Sequence, residues 1–282
     1  MGNNCCICDS KKNKLYKTVG EYTLLECRDC GLVYLDQNFS NQISFIEDAK
    51  GSLEDSGKEK IEYWSFPDLF AKHKFIFEEF FLERLQRAEE HSPKIKTMMD
   101  IGCGYGFWMD YCKKRNISVR GFDISYEAVT YAKETFGLDA TTDNLLEFKP
   151  TEKYDLTLMF DVLEHLEDPN EGLQKCKDFM GDEGLLYIQV PNLIGFRIPP
   201  NHGYGLPHHL WQFNPKSLTT LLEKNDFQVL GKWTGPMGVI GAYEKGTNLF
   251  WKKIMWSVSS KLNLGTRLQI IAKDKNGKKG NR

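Results

Sequence analysis

The chain has 282 residues, 41% hydrophobic and 27% charged, enough for one large domain with a smaller appendage and a core that needs no disulfide staples. A formal net charge of -2 leaves no global positive field for gathering nucleic acid, and the composition excludes wholesale disorder. The apolar run at Trp251–Trp256 is broken by Lys252 and Lys253, and the first twenty residues lack a basic start and apolar stretch, so a cytoplasmic protein without a membrane span is expected.

Five of the eight cysteines fall within the first thirty residues. They read Cys5-x-x-Cys8, an eighteen-residue spacer, then Cys27-x-x-Cys30. Two such pairs at tight turns place four thiolates at the corners of a tetrahedron, the arrangement that Zn²⁺ takes. Cys6 competes with Cys5, but only Cys5 repeats the gap of the second pair. A redox pair is the alternative, and it needs no duplication. Short strands are expected at 16–19, 22–25 and 32–35, which makes residues 1–36 a zinc ribbon. Four thiolates leave no open coordination position, so this zinc is structural.

Residues 37–92 read as a polar linker followed by a helical cap. Phe70, Phe77, Phe81 and Leu85 recur at helical spacing from Phe66 to Glu90, and Pro67 sits at a favoured helix start. From residue 93 strands and helices alternate, the mark of a doubly wound α/β domain. Strands are expected at 97–101, 119–123, near 139–141, 154–160, 185–190, 227–233 and 267–272. Helices are expected at 107–115, 126–136 and 170–180.

The first of these strands runs into Gly102-Cys103-Gly104-Tyr105-Gly106. Glycines there let a ligand approach the backbone, and the following helix offers free N–H groups. Asp123 ends the next strand about twenty residues on, where an acid holds a ribose. A nicotinamide dinucleotide wants a third glycine where Phe107 stands, which disfavours a dehydrogenase.

Asp100 through Gly106, Asp123, and Asp161-Val162-Leu163-Glu164-His165-Leu166-Glu167-Asp168-Pro169 together resemble a class I S-adenosylmethionine-dependent methyltransferase, in the branch of the ubiquinone and menaquinone biosynthesis methyltransferases. The resemblance spans residues 95–272. It implies a Rossmann-like seven-stranded sheet with helices on both faces and an antiparallel last strand. It also implies S-adenosylmethionine as cofactor. Gly102, Gly104 and Gly106 fall on its methionine and ribose side, Asp123 on the ribose, Asp143 and Asn144 on the adenine, and Phe160 and Asp161 beside the sulfonium, with Asp100 and Ile124 as further cofactor-binding candidates.

Methyl transfer needs alignment, and a base when the acceptor is a hydroxyl. Were residues 161–165 helical, Asp161, Glu164 and His165 would share a face. In the ubiquinone O-methyltransferases a similar acid, Glu and His resemble a divalent-cation site, which brings Mg²⁺ into consideration; packing and capping are the equal alternative. A long loop follows the fifth strand and leads into His208-His209-Leu210-Trp211-Gln212-Phe213. This run also resembles the family, with His209 facing the active site. His209 is the preferred base, with His165, His208 and His202 behind it, and Tyr204 and Trp211 are candidate pocket walls. A last insertion, around Phe250, Ile254 and Val258, is expected as a pocket wall or dimer contact.

The expected activity is methylation of an oxygen or nitrogen on a small or carrier-bound metabolite, in glycan or secondary-metabolite synthesis. An RNA methyltransferase using Lys11, Lys12, Lys14, Lys17 and Arg28 of the ribbon is the second reading. A non-catalytic cofactor-binding module is the third.

Overall fold

The computed structural model describes residues 4–36, 66–195, 204–235, 257–258 and 260–277. The expected linker at 37–65, His202, Phe250 and Ile254 lie outside the described residues. Strands β1 (Asn13–Val19), β2 (Tyr22–Cys27) and β3 (Val33–Leu35) form an antiparallel meander at the expected positions. Gly20, at φ +60°, turns the first hairpin.

Beyond the meander, α1 (Phe66–His91), β4 (Thr97–Ile101), α2 (Phe107–Lys113), β5 (Ser118–Asp123), α3 (Tyr126–Phe136), β6 (Asp139–Thr142) and β7 (Tyr154–Phe160) follow in order. Next come a single 3-10 turn (Leu163–His165), α4 (Pro169–Cys176), β8 (Met180–Pro191), β9 (Trp211–Gln212), α5 (Pro215–Lys224), β10 (Phe227–Gly235) and β11 (Arg267–Asp274). One sheet has the order β10-β11-β8-β7-β4-β5-β6, with β4 parallel to both β5 and β7, β5 parallel to β6, and β11 antiparallel to β10. This is the α/β architecture, with its reversed last strand, that the resemblance implied.

The chain divides into two compact units. One comprises residues 46–160, 175–187 and 276–282. Its strands are apolar on both faces, as parallel strands covered by helices must be: Met98, Met99, Ile101, Leu156, Leu158 and Met159 are buried. Helix α1 buries Phe70, Ile76, Phe77 and Leu85, and Phe70 stacks on Phe107 with ring centroids 3.9 Å apart. Ser125 caps α3, accepting from the Ala128 N–H, and Gly137 ends that helix in the left-handed conformation.

The other unit comprises residues 1–45, 161–174 and 188–275. Here the sequence reading missed β9. These two residues pair antiparallel with β3 (Val33 opposite Gln212, Tyr34 opposite Trp211), so the ribbon sheet has four strands, β1-β2-β3-β9. Leu24, Val33 and Leu35 form a small core with Tyr22, Leu193, Tyr204, Leu206 and Leu210 packed against it. Helix α5 starts at a capping box in which Asn214 accepts from the N–H groups of Lys216 and Ser217, and it buries Leu218, Leu221 and Leu222.

Two expected helices are shorter: α2 ends at Lys113 instead of Arg115, and α4 ends at Cys176 instead of Met180. Strand β8 begins at Met180 instead of Leu185. Gly184 lies in this early part of β8, where a Cβ would stand 2.7 Å from the Tyr154 carbonyl oxygen, so a glycine is needed there. Among the described residues no helix is long and apolar enough to cross a membrane.

Candidate functional site

Three groups of residues carry chemistry. The first is the loop after β4. Gly102, Gly104 and Gly106 all have positive φ, at +76°, +51° and +76°. A side chain at Gly106 would strike Leu138 at 2.6 Å and Ala132 at 2.9 Å, so that glycine sets how closely the loop lies on α3. A Cβ at Gly104, in contrast, would meet nothing within 4 Å. The backbone there is open to a ligand.

Asp123 stands beside this loop with both carboxylate oxygens engaged. Oδ2 accepts from the Gly104 N–H and Oδ1 from the Ser125 N–H, each at 2.8 Å. Its position is thereby fixed, and each oxygen keeps a lone pair for a diol. Burial raises its pKa despite these donors. Asp100, 4% exposed, is lifted to about 7 by burial and secondarily by the Asp123 charge. Ile124 is half-buried between Asp123 and Ser125. The half-buried Asp143 donates its N–H to the Asp123 carbonyl at 3.1 Å, and the Asn144 side chain accepts from the Leu146 N–H at 3.0 Å. Phe160 ends β7 with its ring 6.3 Å from Trp108 and 5.1 Å from Tyr187.

The second group is Glu164, His165 and His209, whose candidate ligand atoms all lie within 4.8 Å of one another. The condition for Asp161 to share a helix face with Glu164 and His165 is not met, since the turn at 163–165 is 3-10 and begins after Asp161. Asp161 has φ +54°, which throws its side chain off the turn; Oδ2 accepts from Gln189 Nε2 at 2.8 Å, and Oδ1 pairs with Arg267 Nε at 3.0 Å. Neither Gln189 nor Arg267 carried a sequence signal, because each comes from a different strand.

Glu164 is fully buried, with no hydrogen-bond partner on either carboxylate oxygen. Burial, reinforced by the Asp161 charge, pushes its pKa well above the usual carboxylate range. His165 is lowered to about 4 by burial, so it is neutral near pH 7. Its Nδ1 lies 3.0 Å from the His208 carbonyl oxygen; neutral, it donates there and leaves Nε2 as the basic nitrogen. The His165 and His209 rings meet edge to face at 4.6 Å. Two further bonds hold the segment after His208 to the 3-10 turn. Leu210 N–H donates to the Glu164 carbonyl at 2.9 Å, and Trp211 Nε1 donates to the Leu166 carbonyl at 2.7 Å. His208 thus contributes through its backbone, and Trp211, 5% exposed, packs and tethers where a pocket wall was expected.

This donor set does not fit Mg²⁺, which wants oxygens in a near-octahedral shell. Two of the three groups are imidazoles, and the Asp161 oxygens are committed to Gln189 and Arg267.

The third group is Cys5, Cys8, Cys27 and Cys30, with all four sulfurs within 4.8 Å. Sγ separations are 3.3 Å for Cys5–Cys30 and 3.5 Å for Cys8–Cys27. A tetrahedron with zinc–sulfur bonds of about 2.3 Å has sulfurs about 3.8 Å apart, so the donor set fits that ion. Cys6 stands outside the group. Cys103, Cys112 and Cys176 are buried, lie far from the group in the sequence and lack its spacing.

Residues 70–232 match a family described as a methyltransferase domain. A ubiquinone biosynthesis O-methyltransferase of Glaesserella parasuis serovar 5 is 31% identical over 108 residues, 34% of this chain and 46% of that protein. A probable S-adenosylmethionine-dependent methyltransferase of Mycolicibacterium smegmatis is 27% identical over 170 residues, 59% of this chain and 60% of its own length. The chain thus spans about half the length of the curated relatives it matches. Among solved structures, the plantazolicin methyltransferase BpumL in complex with SAH superposes with a TM-score of 0.55 at 16% identity, covering 84% of this chain and 97% of its own. A methyltransferase from Clostridium acetobutylicum gives a TM-score of 0.52 at 12% identity, covering 76% and 99%. At these identities the structures share a fold.

Proposed function

Because the chain belongs to the class I S-adenosylmethionine-dependent methyltransferases, we propose that it moves a methyl group from that cofactor to an oxygen or nitrogen of a small or carrier-bound acceptor. The observation that carries the reading is the glycine loop with an open face at Gly104, beside an Asp123 already fixed by two backbone donors. When bound, the cofactor supplies a methyl activated by its sulfonium. Asp123 takes the ribose hydroxyls, with Ile124 alongside. Asp100 and the loop from Gly102 to Gly106 take the methionine side, Asp143 and Asn144 the adenine, and Phe160 and Asp161 the sulfonium end.

The chain's other task is proton handling. His209 takes the acceptor's proton, and His165, kept neutral by burial, orients it edge to face. Burial, with the Asp161 charge, disfavours the ionised form of Glu164 beside them. His208 fixes the ring of His165 through its carbonyl. The cysteine site takes a structural Zn²⁺. A nucleic-acid acceptor is disfavoured, since the ribbon's basic side chains are partly spent: Lys14 pairs with Glu26 at 3.0 Å, Lys17 lies over the Tyr204 ring, and Arg28 donates to the Asn13 carbonyl.

Calorimetric titration with S-adenosylmethionine, S-adenosylhomocysteine and NAD⁺ tests the cofactor assignment. Micromolar binding of the first two is expected. Asp123→Ala should weaken it roughly a hundredfold to ten-thousandfold, as two lost charge-assisted hydrogen bonds imply. Binding of NAD⁺ alone would overturn the reading.

A further inference from the structure

Both cysteine turns of the ribbon are tied to α4, α5 or the cap of α5, the elements that follow the two segments bearing the histidine cluster. The Cys6 carbonyl, inside the first Cys-x-x-Cys turn, accepts from Asn170 Nδ2 at 3.1 Å and from Lys224 Nζ at 3.0 Å. Lys224 also pairs with Asp9, one residue beyond that turn, at 3.4 Å. The Gly31 carbonyl, directly after the second turn, accepts from Asn214 Nδ2 at 3.4 Å.

Just after the second anchor β3 runs along β9, the Leu35 N–H donates to the Leu210 carbonyl at 2.9 Å, and the Tyr34 and Trp211 rings lie 6.0 Å apart. Residues 208–211 then reach the 3-10 turn through the His208 carbonyl, the Leu210 N–H and the Trp211 indole. The Leu210 peptide is the shared link. Its carbonyl serves the ribbon, and its N–H serves Glu164.

A strand of two residues does not persist alone, because it closes too few hydrogen bonds to offset the ordering of its backbone. On one side β9 has β3, and β3 itself is only three residues long and begins just after the second cysteine turn. Leu206 and Leu210, which flank the two histidines, pack on the ribbon residues Leu24, Val33 and Leu35.

We propose that the ribbon, closed by a tetrahedral thiolate-bound cation, is a positioning element for the histidine cluster: it holds residues 208–211 so that His209 and His165 meet beside Glu164. The inference rests on the zinc and histidine roles proposed above and assigns the ribbon a task at that same site.

The test uses the full chain loaded with Zn²⁺, its metal content measured, and compares it with protein stripped by a zinc chelator under reducing conditions. Two variants accompany it: Cys8→Ser, and Cys8→His, which keeps four zinc ligands at an exposed position. Amide exchange over residues 206–213 and the rate at which diethyl pyrocarbonate modifies His209 and His165 report on the cluster. Titration with S-adenosylhomocysteine and exchange over β4 and β5 report on the cofactor loop.

Stripping and Cys8→Ser should each speed exchange at Leu210 and modification of both histidines by about tenfold or more, with S-adenosylhomocysteine affinity held within about twofold. Cys8→His with Zn²⁺ should restore the slow rates. Unchanged histidine reactivity after zinc loss would overturn the proposal. So would loss of β4 and β5 protection in step with the ribbon, which would make the metal a general stabiliser. If zinc-loaded protein fails to bind S-adenosylhomocysteine, the cofactor reading falls, while exchange and reactivity still decide the ribbon's role.

Discussion

Asp100 is a carboxyl that folding keeps protonated. Burial lifts it from its ordinary 3.8 to about 7, so the folded chain binds more protons than the unfolded one between those values. Its contribution to stability is therefore fully present below pH 3.8 and is lost as pH rises through 7. Asp100→Asn, which cannot ionise, should gain on the parent protein between pH 5 and pH 8, read as a urea midpoint that moves apart at the higher pH. His209→Asn should lower kcat by about a hundredfold to ten-thousandfold, the usual range for a general base, and leave S-adenosylhomocysteine affinity within about twofold. Equal losses in both would assign His209 to folding.

At the level of elements, caps and turns decide where each piece stops. Asn214 accepts two backbone N–H groups at the start of α5, and Ser217 returns the bond to the Asn214 N–H. Asn214→Ala should cost about 0.5–2 kcal/mol, read as a lowered thermal midpoint. Elements whose determinants are local were legible in the sequence. The strands at 97–101 and 154–160 and the helix at 126–136 have the expected bounds, since apolar runs and caps specify them without help. The glycine loop and the cysteine spacing were legible for the same reason.

What escaped was set by tertiary contact. β9 is two residues that become a strand only because β3 is present. A helical 161–165 would have put Asp161 on one face with Glu164 and His165, yet Asp161 adopts a left-handed backbone and its side chain meets Gln189 and Arg267. Nothing local in Asp-Val-Leu-Glu-His announces those partners. The convergence of His209 on Glu164 and His165 is likewise a long-range event, carried by bonds between residues more than forty apart.

For the whole molecule, ligand linkage gives a direct measure. S-adenosylhomocysteine at one hundred times its dissociation constant should add about 2.7 kcal/mol to the unit that binds it. For units of this size that is a rise of roughly 5–10 °C in thermal midpoint, seen by scanning calorimetry. No rise with saturating ligand would contradict the assignment of the glycine loop.

The pairing of β3 with β9 also has a consequence in time. Val33, Tyr34 and Leu35 are all buried in the finished protein, but their partners Trp211 and Gln212 lie about 180 residues further along the chain. At roughly 5–20 residues per second, a ribosome reaches them about ten to forty seconds after β3 has been made. Throughout that interval the nascent chain carries an unpaired strand edge with an apolar face, a template for pairing with a neighbouring chain on the same message. Slowing elongation between codons 36 and 211 should therefore lower soluble yield more than slowing it after codon 213. Co-expressed chaperones should recover the first loss.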